Sequence, residues 1–218
     1  MDEIRRSFDI DAIRADFPIL ERSIHGKPLV YLDSAASAQK PKQVLDALMS
    51  AYQDTYSNVH RGLHFLSEAS TDLYEAVRGK TASFIGAASG DEIVLTSGAT
   101  MALNLIARSW AEPRLQPGDE ILISIADHHA NIVPWQLVAE KTGAVVRAFP
   151  LEQDGTFVMR HLTDMVNDRT RIIAIPHVSN VLGTVFPVAE IAEIAHDANA
   201  LLVVDGCQGV VHMPVDVR

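Results

Sequence analysis

The chain has 218 residues, 48% of them hydrophobic and 6% aromatic, and a formal net charge of -10. That content can bury the core of one large domain, and the acidic surface repels polyanions, which argues against nucleic acid and acidic membranes as partners. A single cysteine excludes an internal disulfide and a cysteine-based metal cluster, and no apolar run is long enough to span a bilayer.

The opening "MDEIRRSFDI" carries charges where a secretion signal needs an apolar core, so a cytoplasmic protein is expected. Residues 1–25 read as an arm, or part of a small domain, ahead of a main domain over residues 26–218. Strand-like runs then follow at Leu29 to Leu32, Glu92 to Thr96, Glu120 to Ser124, Ala144 to Phe149, Arg171 to Pro176 and Leu201 to Asp205. Helix-like stretches alternate with them at Lys42 to Tyr56, Ser67 to Ile85, Thr100 to Ala111, Ile132 to Thr142, Met159 to Asn167 and Val188 to Ala198. Several of the strands are apolar throughout, as a parallel sheet covered on both faces requires. The expected fold is therefore α/β, a doubly wound, mainly parallel sheet.

In such a sheet ligands bind beyond the carboxyl ends of the strands. After "EIVLT" comes "SGATMALN", a tight turn opening a helix. Its free N–H groups and dipole suit a phosphate, with the Thr100 hydroxyl as a further donor; taken by itself it also reads as an ordinary helix cap. After "EILIS" comes "IADHHANIVPW". His128 there could act as a base, bind a metal or stack on a flat ring, or simply hydrogen-bond within its loop. After "RIIAIP" comes "HVSNVLGTV", where Asn180 is a neutral donor and acceptor or a turn residue. After "LLVV" come Asp205, Gly206, Cys207 and Gln208; an ionised aspartate at a strand mouth wants a cationic partner or open solvent. Taken together these positions suit a ligand with a phosphate, a flat ring, a phenolic oxygen and a basic ring nitrogen. Pyridoxal 5'-phosphate has all four, and a carboxylate at its ring nitrogen keeps that nitrogen protonated.

The stretches "VYLDSAASAQKP", "NVHRGLHFLS", "TSGATMALNLIA", "DHHANIVPWQ", "HVSNVLGT" and "VDGCQGVVHMPVDV" resemble the class V aminotransferase family, and within it the SufS-type (group II) cysteine desulfurases. The resemblance implies the large domain of the fold type I pyridoxal phosphate enzymes, incomplete at the C-terminus. It implies that Ala99 and Thr100 hold the phosphate, His128 stacks on the ring, Asn180 and Gln208 lie near the phenolic oxygen and Asp205 meets the ring nitrogen. Ala36, His60 and Arg61 correspond to positions near the substrate end. Members take sulfur from cysteine, leave alanine, pass a persulfide to an acceptor protein of SufE type for Fe–S cluster assembly, and work as homodimers. The family's covalent lysine and its catalytic cysteine are expected beyond Arg218, so no catalytic residue is expected in the chain itself. Cys207 stands where the family has a small residue. Two other class V readings stay open, a selenocysteine lyase and another activity of the family. So does a non-catalytic remnant that binds the cofactor or pairs with a homologue. The Asp127-His128-His129 run also leaves a metal phosphoesterase as a reading of a different class.

Overall fold

The computed structural model describes residues 9–218; the start of the expected N-terminal arm lies outside the described residues. The chain divides into two compact units, one up to Val77 and one from Arg78.

In the first unit, helix α1 (Ile10–Ala15) is capped by Asp9, whose carboxylate accepts the Ala12 N–H at 3.0 Å. A two-residue turn joins strands β1 (Ser23–Ile24) and β2 (Lys27–Pro28). Both turn residues, His25 and Gly26, have positive φ, as the tightest hairpin turns require. Helix α2 (Lys42–Ser50) runs on into a π-helical turn at Ala51–Thr55. Helix α3 (Phe65–Ile85) passes through the boundary. The expected strand at Leu29 to Leu32 does not form; those residues have no ladder partner among the described residues.

The second unit holds a four-stranded sheet in the order β4-β3-β5-β6, with all three pairings parallel. Its strands are β3 (Glu120–Ser124), β4 (Val145–Phe149), β5 (Thr170–Pro176) and β6 (Leu201–Asp205). The helices between them are α5 (Val133–Thr142), α6 (Met159–Thr163) and α7 (Val188–Asp197). Helix α4 (Ala99–Ile106), extended by a π-helical turn at Ala107–Ala111, precedes β3, and the short α8 (Gly209–His212) follows β6.

Alternate residues of each strand face opposite layers, and both layers are apolar. Ile121, Ile123, Ile172, Ala174 and Val203 join Leu103, Trp135 and Val138 on one face. Leu122, Ile173 and Ile175 join Phe149, Leu162, Phe186 and Ile191 on the other. This two-sided burial is why these strands read as unbroken apolar runs.

The run Glu92 to Thr96 differs from the expectation. Gly90–Glu92 forms a 3₁₀ turn, Ile93 is extended and buried, and the rest has no ladder partner among the described residues. The Ile93 carbonyl accepts a hydrogen bond from Arg78 Nε at 3.1 Å instead. An apolar run supplies the propensity for a strand, but a strand also needs a neighbour. Helix α6 is shorter than expected because Asn167 closes a polar turn. Its side chain accepts the Arg169 N–H at 2.9 Å and its own N–H bonds the Thr170 hydroxyl at 3.0 Å.

Candidate functional site at the carboxyl edge

The order β4-β3-β5-β6 places the switch in winding between β3 and β5, where the loops that leave the two strands diverge. Those loops carry His128 and Asn180. The buried Ser179 hydroxyl donates to the Ala126 carbonyl at 3.1 Å and so ties the two loops together. Ser179 also closes its own turn, its N–H bonding the Thr184 carbonyl at 2.9 Å. Asn180 sits exposed at the tip of that turn.

His128 starts the 3₁₀ turn His129–Asn131, and its Nδ1 accepts the Ala130 N–H at 3.1 Å. That bond requires Nδ1 to be unprotonated, which leaves Nε2 to carry the proton of the neutral ring. The ring itself is exposed. Beneath it runs a chain of side chains with the i, i+4 spacing of a helix face. Trp135 Nε1 donates to Asn131 Oδ1 at 2.9 Å, and Asn131 Nδ2 donates to Asp127 Oδ1 at 3.0 Å. Trp135 and Asn131 are fully buried. The second carboxyl oxygen, Asp127 Oδ2, is buried and has no hydrogen-bond partner among the described residues. Burial pushes the Asp127 carboxyl up to about 7, and the nearby Asp205 charge adds to the rise against the opposing hydrogen bonds.

Asp205 closes β6 and pairs with Pro176 in the ladder. Its carbonyl accepts the His177 N–H at 2.9 Å, and its Oδ1 accepts the Cys207 N–H at 3.0 Å. The side chain is thus aimed by the turn that follows it. Gln208 is half-buried and precedes α8. Gly209 lies against His177, and a Cβ there would fall 2.4 Å from His177 Nδ1; only glycine lets the helix start so close to that ring. Partial burial, and then the Asp205 charge, push the Cys207 thiol up to about 11. Such a thiol is a poor nucleophile at neutral pH.

The start of α4 is the other half of the site. Gly98 has φ 151°, a region that favours glycine, and provides no side-chain cap. Thr100 is exposed, and its carbonyl accepts the Asn104 side-chain N–H at 2.8 Å. A cleft of about 450 Å³ lies between α4 and β6, lined by Ala99, Leu103, Trp110, Val204, Asp205 and Cys207 among others. The structure therefore brings Ala99 and Asp205 to one cavity. His128, Asn180, Thr100 and Gln208 do not line it.

Ala36, His60 and Arg61 belong to the first unit, and all three are exposed. His60 has a left-handed backbone, φ 74°. Its N–H bonds the Thr71 hydroxyl at 2.9 Å, its ring meets Tyr74 edge-on, and Nε2 lies 3.5 Å from Glu75.

A sequence model of the aminotransferase class-V family matches residues 30–218. The chain belongs to the class V aminotransferase family. Among related class V proteins, it is 50% identical over 212 residues to a cysteine desulfurase of Shigella sonnei, covering 97% of this chain and 52% of that protein. It is 47% identical over 210 residues to a probable cysteine desulfurase of Mycolicibacterium paratuberculosis, covering 96% of this chain and 31% of that one. The fold matches the crystal structure of the Escherichia coli cysteine desulfurase CsdA with a TM-score of 0.84 at 42% identity, over 96% of this chain and 51% of that one. It matches the apo cysteine desulfurase of Thermococcus onnurineus with a TM-score of 0.88 at 33% identity, over 100% of this chain and 51% of that one. The chain spans about half the length of the Shigella relative and of both solved structures.

The Asp127-Asn131-Trp135 chain and the Ser179 tie were not legible as site features beforehand. The i, i+4 spacing of three hydrogen-bonding side chains in "DHHANIVPW" was the available signal. Among the described residues no group of three or more His, Cys, Asp or Glu could hold a metal ion.

Proposed function

We propose that this chain forms the non-covalent part of the pyridoxal 5'-phosphate site of a SufS-type cysteine desulfurase. The observation that carries the reading is the cleft with the start of α4 on one wall and Asp205 on the other. A helix start favours an anion and a carboxylate favours a cation, so the cavity suits a molecule with a phosphate at one end and a protonated ring nitrogen at the other. In this reading the backbone at Ala99 and the Thr100 hydroxyl hold the phosphate, and Asp205 keeps the proton on the ring nitrogen. When bound, the cofactor supplies an electron sink. His128 packs on the ring, and Asn180 and Gln208 hydrogen-bond its phenolic oxygen. Ala36, His60 and Arg61 serve the substrate end.

The relatives are named cysteine desulfurases, and this supports cysteine as the substrate of the whole protein. A SufE-type acceptor, a homodimer and a place in cytoplasmic Fe–S cluster assembly complete the proposal. Among the described residues no helix is long and apolar enough to cross a membrane. Among the described residues no lysine lines the cleft, and the thiol that does is held in its protonated form. This favours reversible binding without turnover by the 218-residue chain.

The test is a titration with pyridoxal phosphate followed by cofactor absorbance, beside an assay of sulfide release from cysteine. Reversible binding without turnover is expected. Asp205→Asn should weaken binding by about tenfold or more, since it removes a charge-assisted bond worth roughly 1.5–3 kcal/mol. Identical titrations of the two proteins would overturn the assignment.

A further inference from the structure

The edge of the sheet holds a carboxyl that the proposed cofactor contacts do not use. Asp127 is anchored through one oxygen to the buried amide of Asn131, which is itself fixed by the buried indole of Trp135. The other oxygen is buried without a hydrogen-bond partner among the described residues. The residue next to it is His128, whose ring orientation is set by the Ala130 N–H of the same turn.

We propose that Asp127 is a positioning residue that works as a neutral acid: its protonated carboxyl holds the turn that presents His128, and loss of the proton loosens that turn. Its bearing on the cofactor rests on the function proposed above.

The physical argument is one of charge and donors. A neutral acid leaves one weak donor unsatisfied at Oδ2. A carboxylate leaves a charge there, out of water, where hydrogen bonds from the Asn131 amide and the Ser124 backbone lower its cost by less than burial raises it, and such a charge is disfavoured. The ionisable groups at this edge are His128 and His129 on the same loop, His177 after β5, and Asp205 and Cys207 after β6. Of these, the Asp205 charge bears on Asp127, and it too opposes ionisation; among the described residues no cation bears on the carboxyl. Burial and Asp205 together place the carboxyl's titration near neutrality. When the proton leaves to water, the charge is relieved by turning the side chain outward. That strips the buried Asn131 amide of its acceptor and releases the start of the turn.

The experiment is a pH titration of the intact chain by NMR, with carbon-13 in the aspartate carboxyls and the histidine rings. Asp127→Asn assigns the carboxyl signal and mimics its neutral form. The Asp127 carboxyl should titrate near pH 7, and the His128 ring signal should follow it. In Asp127→Asn that inflection of His128 should vanish, whereas an inflection intrinsic to a histidine would survive. An ordinary acidic midpoint for Asp127, or the same His128 profile in both proteins, would overturn the proposal. A second arm measures pyridoxal phosphate affinity. Between about pH 6 and pH 8 the wild type should lose about tenfold in affinity, the neutral fraction having fallen by that factor, while Asp127→Asn changes by less than about twofold more than free cofactor titration explains. If Asp127 titrates near neutrality and moves His128 while the cofactor does not bind at any pH, the positioning role stands and the proposed function fails.

Discussion

The two units of the chain hold their shape by different means. From Arg78 onward the strands and helices are welded by apolar layers, with Trp135, Phe149, Ile173 and Ile191 wholly out of water. Among the described residues up to Val77, the buried residue is a serine, Ser67, and Leu32 and Leu63 are 90% and 98% exposed. That unit is pinned by polar links. Ser67 Oγ donates to the Asn58 carbonyl at 2.7 Å and accepts the Gly62 N–H at 3.0 Å, while Gln43 reaches the Asp16 carboxylate at 3.0 Å. Hydrogen bonds in water contribute little net stability, about 1 kcal/mol each, whereas each buried aliphatic or aromatic side chain contributes roughly 1.5–3 kcal/mol. The contrast assigns the stability of the chain to the sheet layer and leaves the first unit at the low end of local stability.

Core truncation breaks or confirms this contrast most directly. Trp135→Ala should cost about 3–5 kcal/mol, from lost burial and the cavity left behind, and it also orphans the buried Asn131 carbonyl. Leu63→Ala should stay within about 0.5 kcal/mol. Denaturant unfolding of the two variants measures both, and equal costs would erase the distinction.

The pH dependence of stability comes next. A carboxyl raised in the folded state binds its proton more tightly there than in the unfolded chain. Its folded form is therefore penalised as pH rises from the unfolded value near 4 to the folded value near 7, and levels off above that. A rise of about three units corresponds to at most about 4 kcal/mol. Asp127→Asn should remove this slope and be the more stable protein at pH 8. Unfolding curves of both proteins across that window, showing parallel slopes, would refute the burial of the charge.

Chemical reactivity at the sheet edge gives a smaller effect. With its thiol pushed to about 11, Cys207 should be alkylated on the order of a hundredfold more slowly at neutral pH than an unperturbed cysteine. Iodoacetamide kinetics followed by mass spectrometry measure this directly, and a rate like that of free cysteine would show that neither burial nor the Asp205 charge holds the proton on the sulfur. Cys207→Ala should leave stability almost unchanged.

The smallest effect belongs to the first unit. His25 holds φ 52° at the β1–β2 turn, a conformation that asparagine tolerates better. His25→Asn should stabilise the hairpin by no more than a few tenths of a kcal/mol, visible as slower amide exchange at Leu29, whose N–H bonds the Arg22 carbonyl at 2.9 Å. A larger gain would mean that local turn chemistry, rather than the sheet layer, limits that unit.

Much of the sheet was legible in advance because its strands are buried on both faces. Runs such as "EILIS", "RIIAIP" and "LLVVD" need no alternation and look like little else in so short a length. The helices were legible from the stretches between them, and α2, α4, α5 and α7 fall within a residue or two of expectation once their π-helical turns are included. "EIVLT" and "LVYL" misled for one shared reason. Both are apolar and β-prone, but pairing is a property of two segments, and neither finds a partner strand among the described residues. Of the candidate site, the strand end at Asp205 and the helix start after Gly98 follow from local pattern, and the structure brings Asp205 and Ala99 to one cleft.

By itself the sequence determined which segments become strands and helices, and that the polar residues after β3, β5 and β6 gather at the carboxyl edge, because both follow from period, length and the rule that parallel strands share a direction. Only the tertiary structure decided what those residues become there. Asp127 is an exposed-looking acid in a polar loop until Asn131 and Trp135 fold beneath it and the Ser179 hydroxyl ties the adjacent Ala126 carbonyl to a loop 53 residues on. The proton it holds is set by burial and by the Asp205 charge arriving from another strand. Solvation and electrostatic fields depend on distance through space, and neighbours along the chain do not record that distance.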